Sequence, residues 1–446
     1  MNPSLSQLPL PARATFRLRT RDGARTLADL LAEAALLAPS LPDAADGVLE
    51  IPAGDVASTL VHLEAAFLRG FVPLPSVRAR TAQVLAITRD LPAAELALRT
   101  SGSTGVARVP AFTFDALVRS AHCIADYLEL MPDDELALLQ PLDHGFGLIG
   151  QLFAAIAGGC AVTDCATPYP DERAEAVASS QATVVAAVPH TLQQLAEHLH
   201  ELDPEACRRL RSVGSAGGRL PPASARRLAL AFPHAVIWNQ YGCTEAGPRL
   251  TAVPSTHIAF YTGTVGRAVG AVHLWVSDGP EGEILPAGRP GEICFSSDTQ
   301  MLGYLGDPDA TARQRRDIGS TSGYWTGDLG LLDPDDRLHV LGRGDDLVKV
   351  RGERVSLYAL ARAAESAGAR SAIAILTEPD GESADGVLTL VYEGDHALEP
   401  ADLIRILPPA AGRMLPRRIL WVPALPRLAS GKIDRTAVEI LAEVSR

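Results

Sequence analysis

Thr100-Ser101-Gly102-Ser103-Thr104-Gly105 sets hydroxyl side chains among glycines immediately after the strand-like stretch Glu95–Arg99. Side chains this small let backbone N–H groups approach a triphosphate closely, while the hydroxyls donate to its oxygens. The hexapeptide therefore reads as a phosphate cradle, although the same composition also makes a flexible linker and six residues alone do not separate the two. His144 lies in Pro141-Leu142-Asp143-His144-Gly145-Phe146-Gly147, where it is either a satisfied core histidine or part of a polar site. Lys432 stands in an Arg-, Ser- and Gly-rich segment that is expected to be mobile. The six cysteines (Cys123, Cys160, Cys165, Cys207, Cys243 and Cys294) have neither paired nor metal-ligand spacing, so they read as reduced, mostly buried thiols.

Such groups need rigid elements to hold them. Residues 24–38 and 55–70 carry apolar side chains at helical spacing and read as surface helices of a first lobe. Leu136–Leu139, Thr183–Val188 and Ala235–Trp238 are short apolar runs between helical, Ala/Leu/Arg-rich stretches, which predicts an α/β fold with buried, largely parallel strands. From about residue 262 the glycines Gly263, Gly266, Gly270, Gly279, Gly282, Gly288 and Gly291 punctuate strand-like runs, which predicts a small β-rich subdomain with tight turns. After Gly342-Arg343-Gly344-Asp345-Asp346 comes an alternating run, Leu347–Val355, then a helix over 357–367, strands over 371–377 and 387–392, and an amphipathic end. The expected organisation is a large N-terminal domain, 1–344, of α/β subdomains plus the β-rich one, and a small α+β C-terminal domain, 345–446.

The 446 residues exceed what one hydrophobic core usually organises, about 250–300 residues. A formal charge of −13 argues against a nucleic-acid surface, which needs a basic face, so any phosphate bound is small and locally cradled. The N-terminal stretch lacks the charged, apolar and small-residue order of a secretory signal, and no apolar run approaches the ~20 residues that span a bilayer. These features predict a cytoplasmic protein.

Five segments, in order, resemble the signature motifs of the acyl-adenylate-forming superfamily of acyl-CoA synthetases, aryl acid ligases, peptide-synthetase adenylation domains and luciferases. They are Thr100–Gly105; Asn239-Gln240-Tyr241-Gly242-Cys243-Thr244-Glu245; Tyr324-Trp325-Thr326-Gly327-Asp328; Gly342–Asp346 with Lys349 and Gly352; and Ser430-Gly431-Lys432-Ile433-Asp434-Arg435. The resemblance implies activation of a carboxylic acid by ATP and Mg²⁺ as an acyl-AMP, then transfer to a thiol of CoA or of the phosphopantetheine on an acyl carrier protein. Carboxylate attack on the α-phosphate builds charge on oxygens, so such catalysis consists of positioning and electrostatic neutralisation. By the resemblance, Glu245 holds Mg²⁺, Thr244 donates to the α-phosphate, and Tyr241 stacks on adenine beside Ser215-Ala216-Gly217-Gly218, with Asn239 and Gly242 at the same strand end. Asp328 accepts from the ribose hydroxyls and Arg343 supports it. Lys432 bridges the acid's carboxylate and the α-phosphate, and Asp345 is the hinge about which the C-terminal domain swings to open a pantetheine tunnel.

Two departures stand out. Many relatives continue the phosphate loop with Pro-Lys, where this chain has Ala107-Arg108; Arg keeps the charge and offers a fork to phosphate. The stretch before Thr100 is also shorter than relatives carry, which bears on the oligomer interface and the CoA-nucleotide surface. His144 occupies the place where relatives gate the carboxylate. Amino-acid-activating relatives follow it with an aspartate and this chain with Gly145, which disfavours an α-amino acid. A pocket lined from Phe146, Gly147, Val188-Pro189-His190, Ser215–Gly217 and Asn239–Gly242 suits a flat ring with a polar substituent, an aryl acid such as a hydroxybenzoate. Compact relatives of aryl-polyene and xanthomonadin-type pigment pathways load such acids on a carrier protein. Arg413, Arg417, Arg418 and Arg427 could face a carrier protein or CoA, or form a solvated surface. A non-catalytic adenylate-binding regulator is the competing class of function, and Lys432 would have no purpose in it.

Overall fold

A computed structural model describes residues 3–8, 14–20, 23–42, 47–87, 90–100, 108–279, 282–318, 322–350, 353–377, 386–394, 396–398, 415–428 and 431–444. The chain packs as two compact units, Met1–Leu274 with Cys294–Thr326, and Trp275–Ile293 with Gly327–Arg446. The boundary expected at residue 345 thus lies inside the second unit.

A nine-stranded sheet organises the first unit. Its order is Arg267–Ala268, Thr251–Pro254, Val236–Tyr241, Ser212–Ser215, Val184–Ala187, Glu135–Leu138, Ala161–Asp164, Arg17–Thr20 and Gly23–Thr26. The six strands from Val236–Tyr241 to Arg17–Thr20 run parallel, and the outer strands pair antiparallel. Buried Val, Ala and Leu fill both faces of the central strands, so these segments read as continuous apolar runs without alternation. Leu136, Leu138 and Val184 face one apolar core, and Ala137, Val185, Val213 and Ile237 face another.

The chain leaves Glu135–Leu138 toward Ala161–Asp164 on one side, then returns to place Val184–Ala187 on the other. That reversal opens a crevice at the carboxyl ends of the two strands, the place where open α/β sheets bind ligands. The segments emerging there are Leu139–Gly147 and Val188–His190.

The expected helices form as Leu27–Leu37 and Val56–Leu68, but the second is not a surface helix. Nine of its residues are buried, Glu64 among them. Glu64 accepts from the backbone N–H of Leu5 at 2.8 Å and from the Ser4 hydroxyl at 2.6 Å, so the N-terminal turn covers the face that its spacing left open.

In the region expected to be β-rich, His273–Ser277, Gly291–Ser296, Tyr324–Leu332 and Leu338–Arg343 form a four-stranded sheet in that order. Farther along, the helix Leu357–Ser366 and the strands Ser371–Thr377 and Val387–Glu393 form close to their expected bounds. A third strand, Arg418–Val422, pairs parallel to Val387–Glu393, and Arg435–Val444 supplies the amphipathic end.

Candidate active site

In the first unit the phosphate-loop motif is closed at its base. Thr100 N–H donates to the Arg108 carbonyl at 3.0 Å, and Arg108 N–H donates back to the Thr100 hydroxyl at 3.0 Å. Ser101, Gly102, Ser103, Thr104 and Gly105 lie outside the described residues. The Arg108 guanidinium sits over the ring of Tyr304, 5.3 Å from its centroid. Tyr304 reaches that position because Gly303–Tyr304 pairs antiparallel with Pro110–Phe112, two residues beyond Arg108. Its hydroxyl donates to Glu245 Oε1 at 2.7 Å. Burial, and then the adjoining Glu245 carboxylate, push the Tyr304 phenol well above its usual range, so it remains a proton donor at neutral pH. Thr100, Arg108, Tyr304 and Glu245 are thereby joined, although they lie far apart in sequence. Glu245 itself is half-buried in a short turn, Thr244–Ala246, whose backbone is held by Met301 N–H on the Glu245 carbonyl at 2.8 Å.

Beside this turn, the strand ends present Ser215 and Asn239 in register. Ser215 is fully buried and its hydroxyl has no partner in the described structure. Ala216 N–H donates to the Ala187 carbonyl at 3.2 Å, and Gly217 follows at φ +73°, a turn that favours glycine. The Asn239 side-chain N–H₂ donates to the Thr264 carbonyl at 2.9 Å, so this amide braces the strand end. Tyr241 is half-buried, and Gly242 passes so close to Pro248 that a Cβ there would fall 2.0 Å from the Pro248 carbonyl oxygen.

At the crevice, half-buried His144 brings Nδ1 to 3.4 Å from the Arg99 carbonyl and Nε2 to 3.7 Å from Asp143. It is therefore close to the base of the phosphate loop. Phe146 and Gly147 follow on a helical turn, Gly145–Gly147, that continues as a π-helical segment, Leu148–Phe153, a form frequent at functional sites. A Cβ on Gly147 would fall 2.0 Å from the Pro141 carbonyl oxygen, so only glycine fits. His190 stands in the first turn of Pro189–Leu202.

At this end of the sheet one side chain within the expected Asn239–Gly242 lining stands out, and another adds to the sequence-derived set. Gln240 is 3% exposed, and neither atom of its amide has a partner. Arg249 is 5% exposed and lies over the Phe146 ring, 4.7 Å from its centroid. The signal for Arg249 was a charge between Gly247-Pro248 and the largely apolar stretch Leu250–Pro254. Arg249 also lines a cavity of about 710 Å³, together with Ser120, Cys123 and Tyr127. Thr299, also in that lining, donates to the Ala246 carbonyl at 3.1 Å, so the cavity borders the back of the Thr244–Ala246 turn.

In the second unit, Asp328 and Arg343 face each other across paired strands, with Nη1 3.3 Å from Oδ1. Gly327 has φ +86°, and a Cβ there would meet the Arg343 guanidinium at 2.9 Å. Asp345 lies in the turn Gly344–Asp346, but its side chain is outside the described residues; Asp346 accepts from Arg343 N–H at 3.0 Å and from Arg435 at 3.2 Å. Lys432 is half-buried at the edge of a tight turn: its carbonyl accepts from Leu428 N–H at 2.8 Å, and Gly431, at φ +79°, donates to the Leu428 carbonyl at 2.8 Å. Arg427 anchors the turn by bonding the Gly431 carbonyl at 3.3 Å and the buried Glu393 carboxylate at 2.7 Å. Sequence reasoning missed this anchor and expected a mobile loop.

Residues 96–305 match the family of AMP-binding enzymes. Over that stretch the chain is similar to the AMP-binding enzymes of the acyl-adenylate-forming superfamily. Among curated superfamily members, it is 28% identical over 346 residues to 4-coumarate–CoA ligase 2 of Solanum tuberosum, covering 75% of this chain and 62% of that one. It is 28% identical over 356 residues to oxalate–CoA ligase of Arabidopsis thaliana, covering 77% and 66%. The chain thus spans somewhat less than two thirds of the coumarate ligase's length. Among solved structures, ATP-bound MatB from Rhodopseudomonas palustris matches with a TM-score of 0.79 at 23% identity, over 96% of this chain and 95% of that one. The o-succinylbenzoate CoA synthetase of Bacillus subtilis, with its acyl-adenylate intermediate, matches with a TM-score of 0.75 at 20% identity, over 95% and 94%. At these identities the structural likeness establishes the superfamily fold. No helix among the described residues is long and apolar enough to cross a membrane.

Proposed function

We propose that the protein is an ATP-dependent, AMP-forming acid–thiol ligase of the cytoplasm: it activates a carboxylic acid as an acyl-adenylate and passes the acyl group to a pantetheine thiol. The observation that carries this reading is the linkage Arg108–Tyr304–Glu245. It ties the base of the phosphate loop to the one carboxylate of the Thr244-Glu245 motif.

Glu245 fits a Mg²⁺ ligand, because this hard cation is commonly held by one or two carboxylates together with substrate phosphates. One Glu245 oxygen accepts from Tyr304, and the carboxylate retains acceptor capacity on the other. Mg²⁺, when bound, neutralises charge on the phosphates. Thr244 donates to the α-phosphate, and Arg108 with Thr100–Gly105 cradles the others. Tyr241 and the backbone of Ser215, Ala216 and Gly217 flank adenine. Asp328 accepts from the ribose hydroxyls while Arg343 fixes its orientation. Lys432 steadies the charge that develops between the attacking carboxylate and the α-phosphate, with His144 at the carboxylate entry. Asp345 is the hinge between adenylation and thiolation poses, with a C-terminal domain from 345 to 446.

The acid is aryl and hydroxybenzoate-like, lying flat between Phe146, Gly147 and the Ser215–Gly217 backbone near His190. The acceptor is the phosphopantetheine of an acyl carrier protein, as in pigment-type aryl acid loading, or CoA, to which the CoA-ligase relatives point. ATP–pyrophosphate exchange across hydroxybenzoates, cinnamates, fatty acids and amino acids, repeated with Lys432→Ala, tests the reading. Exchange driven by an aryl acid and lost in the variant supports it. Response only to fatty or amino acids rejects the aryl pocket, and no exchange at all favours a binding protein. Product analysis with CoA and with a carrier protein then identifies the acceptor.

A further inference from the structure

Arg249 places a buried guanidinium at the Phe146 end of the crevice with weak satisfaction of its donors. Nε donates to the Tyr127 hydroxyl at 3.3 Å and Nη1 to the Pro248 carbonyl at 3.4 Å, both neutral acceptors at the long end of hydrogen bonding. No carboxylate among the described residues pairs with it. Burying a cation without a counter-charge is costly, and five N–H donors in a fixed fork are suited to a carboxylate. Two other arginines of the first unit meet anions, Arg211 bonding Asp134 at 2.6 Å and Arg99 bonding Glu50 at 2.8 Å, while buried Arg173 bonds the Thr167 carbonyl at 2.7 Å. Arg316 bonds two backbone carbonyls at 2.8 and 2.9 Å, shorter than either bond of Arg249. In the cavity that Arg249 lines, Asp298 lies 3.6 Å from Arg119, so that acid has its own cation.

Gln240 gives a second, independent observation. Its amide is buried with both atoms unpartnered, and it lies over Gly214, where a Cβ would come within 3.4 Å of Nε2. Gly214 is paired with Ala186, whose carbonyl accepts from Gln151 of the π-helical segment at 2.7 Å. On the same segment, a Cβ at Gly150 would lie 3.1 Å from Arg249 Nη2 and 3.3 Å from Phe146. Arg249 therefore borders the Phe146–Gln151 segment directly, and Gln240 lies over the strand next to the one whose carbonyl Gln151 holds, both with unspent polar capacity. A pocket for a purely apolar ring has no use for either.

We infer that Arg249, with Gln240, reads the end of the acid remote from the carboxylate that is activated, and that the acid carries a second carboxylate there. This rests on the adenylation reading and makes its substrate a dicarboxylic acid: an aromatic diacid keeps the aryl reading above, and a short-chain diacid replaces it. The guanidinium fork takes the remote carboxylate and the Gln240 amide donates to it, satisfying groups that are otherwise orphaned.

The test is ATP–pyrophosphate exchange with matched pairs, benzoate against benzene-1,4-dicarboxylate and butyrate against succinate. It uses wild type, Arg249→Leu, Arg249→Lys and Gln240→Leu, with calorimetric titration of the same acids. Wild type prefers one diacid to its monoacid by about 100-fold in kcat/KM, and Arg249→Leu collapses that ratio by about 100-fold. Arg249→Lys retains part of the preference and Gln240→Leu lowers it several-fold. Equal use of both acids by wild type overturns the inference, as does a ratio unchanged in Arg249→Leu. If Arg249→Leu does not fold, the wild-type ratio and Arg249→Lys decide. Should no acid support exchange while a diacid binds and Arg249→Lys weakens it, the adenylation reading falls and the dicarboxylate site stands.

Discussion

Glu245 and Asp328 are two carboxylates set in similar motifs and held in opposite ways. Glu245 is bonded by a neutral phenol at 2.7 Å, whereas Asp328 faces a guanidinium at 3.3 Å across a strand pair. A hydroxyl orients a carboxylate without cancelling its charge, so Glu245 keeps a full negative charge for a cation. A guanidinium neutralises its partner, so Asp328 keeps acceptor lone pairs for hydroxyls and offers little to a metal. On the proposed roles, the neighbouring group, more than the acid itself, would separate a metal ligand from a ribose acceptor.

Glu245→Gln tests the contrast most severely. Glutamine can still accept from Tyr304 but has no charge, and exchange is expected to fall about 1,000-fold, with partial recovery at raised Mg²⁺. Asp328→Asn removes the partner of Arg343; the KM for ATP should rise roughly 30-fold with its Mg²⁺ requirement unchanged. The comparison breaks if Asp328→Asn shifts that requirement as far as Glu245→Gln does. Tyr304→Phe releases Glu245 while leaving its charge, and the Mg²⁺ concentration for half-maximal rate should rise about 10-fold with less effect on the KM for ATP.

The smallest effect is on pH dependence. Burial and Glu245 raise the Tyr304 phenol, so the folded protein holds this proton more tightly than the unfolded chain. Its contribution to stability is complete below the ordinary tyrosine value of about 10 and is lost as pH rises above it. Denaturant titrations from pH 9 to 11 should show a steeper loss of stability in wild type than in Tyr304→Phe, and equal slopes would contradict the assignment.

The motifs of the candidate site could be named from sequence because each is local. Thr244 and Glu245 are adjacent, Gly327 and Asp328 likewise, and the parallel strands announced themselves as unbroken apolar runs. Tyr304 was not legible: it meets Glu245 across 59 residues through a two-residue strand, too short to leave a periodic signal. Arg249 was hidden for another reason, since a lone charge beside a largely apolar stretch looks like a surface position until Phe146 and Tyr127 are seen to enclose it. The helix Val56–Leu68 was misread as superficial because the turn that buries it comes from residues more than fifty positions earlier. The Arg418–Val422 strand escaped notice since its burial alternates only between half-buried and exposed, the pattern of an edge.

The turn beneath Lys432 also has a consequence for amide exchange. The N–H groups of Leu428 and Gly431 are both hydrogen-bonded within the turn, and Arg427 joins that turn to Glu393, the last residue of a fully buried strand. Deuterium should enter these two amides only when the Arg427–Glu393 bond opens. Their protection would then report how firmly the lysine is tethered to its sheet, in a form that can be followed with and without nucleotide.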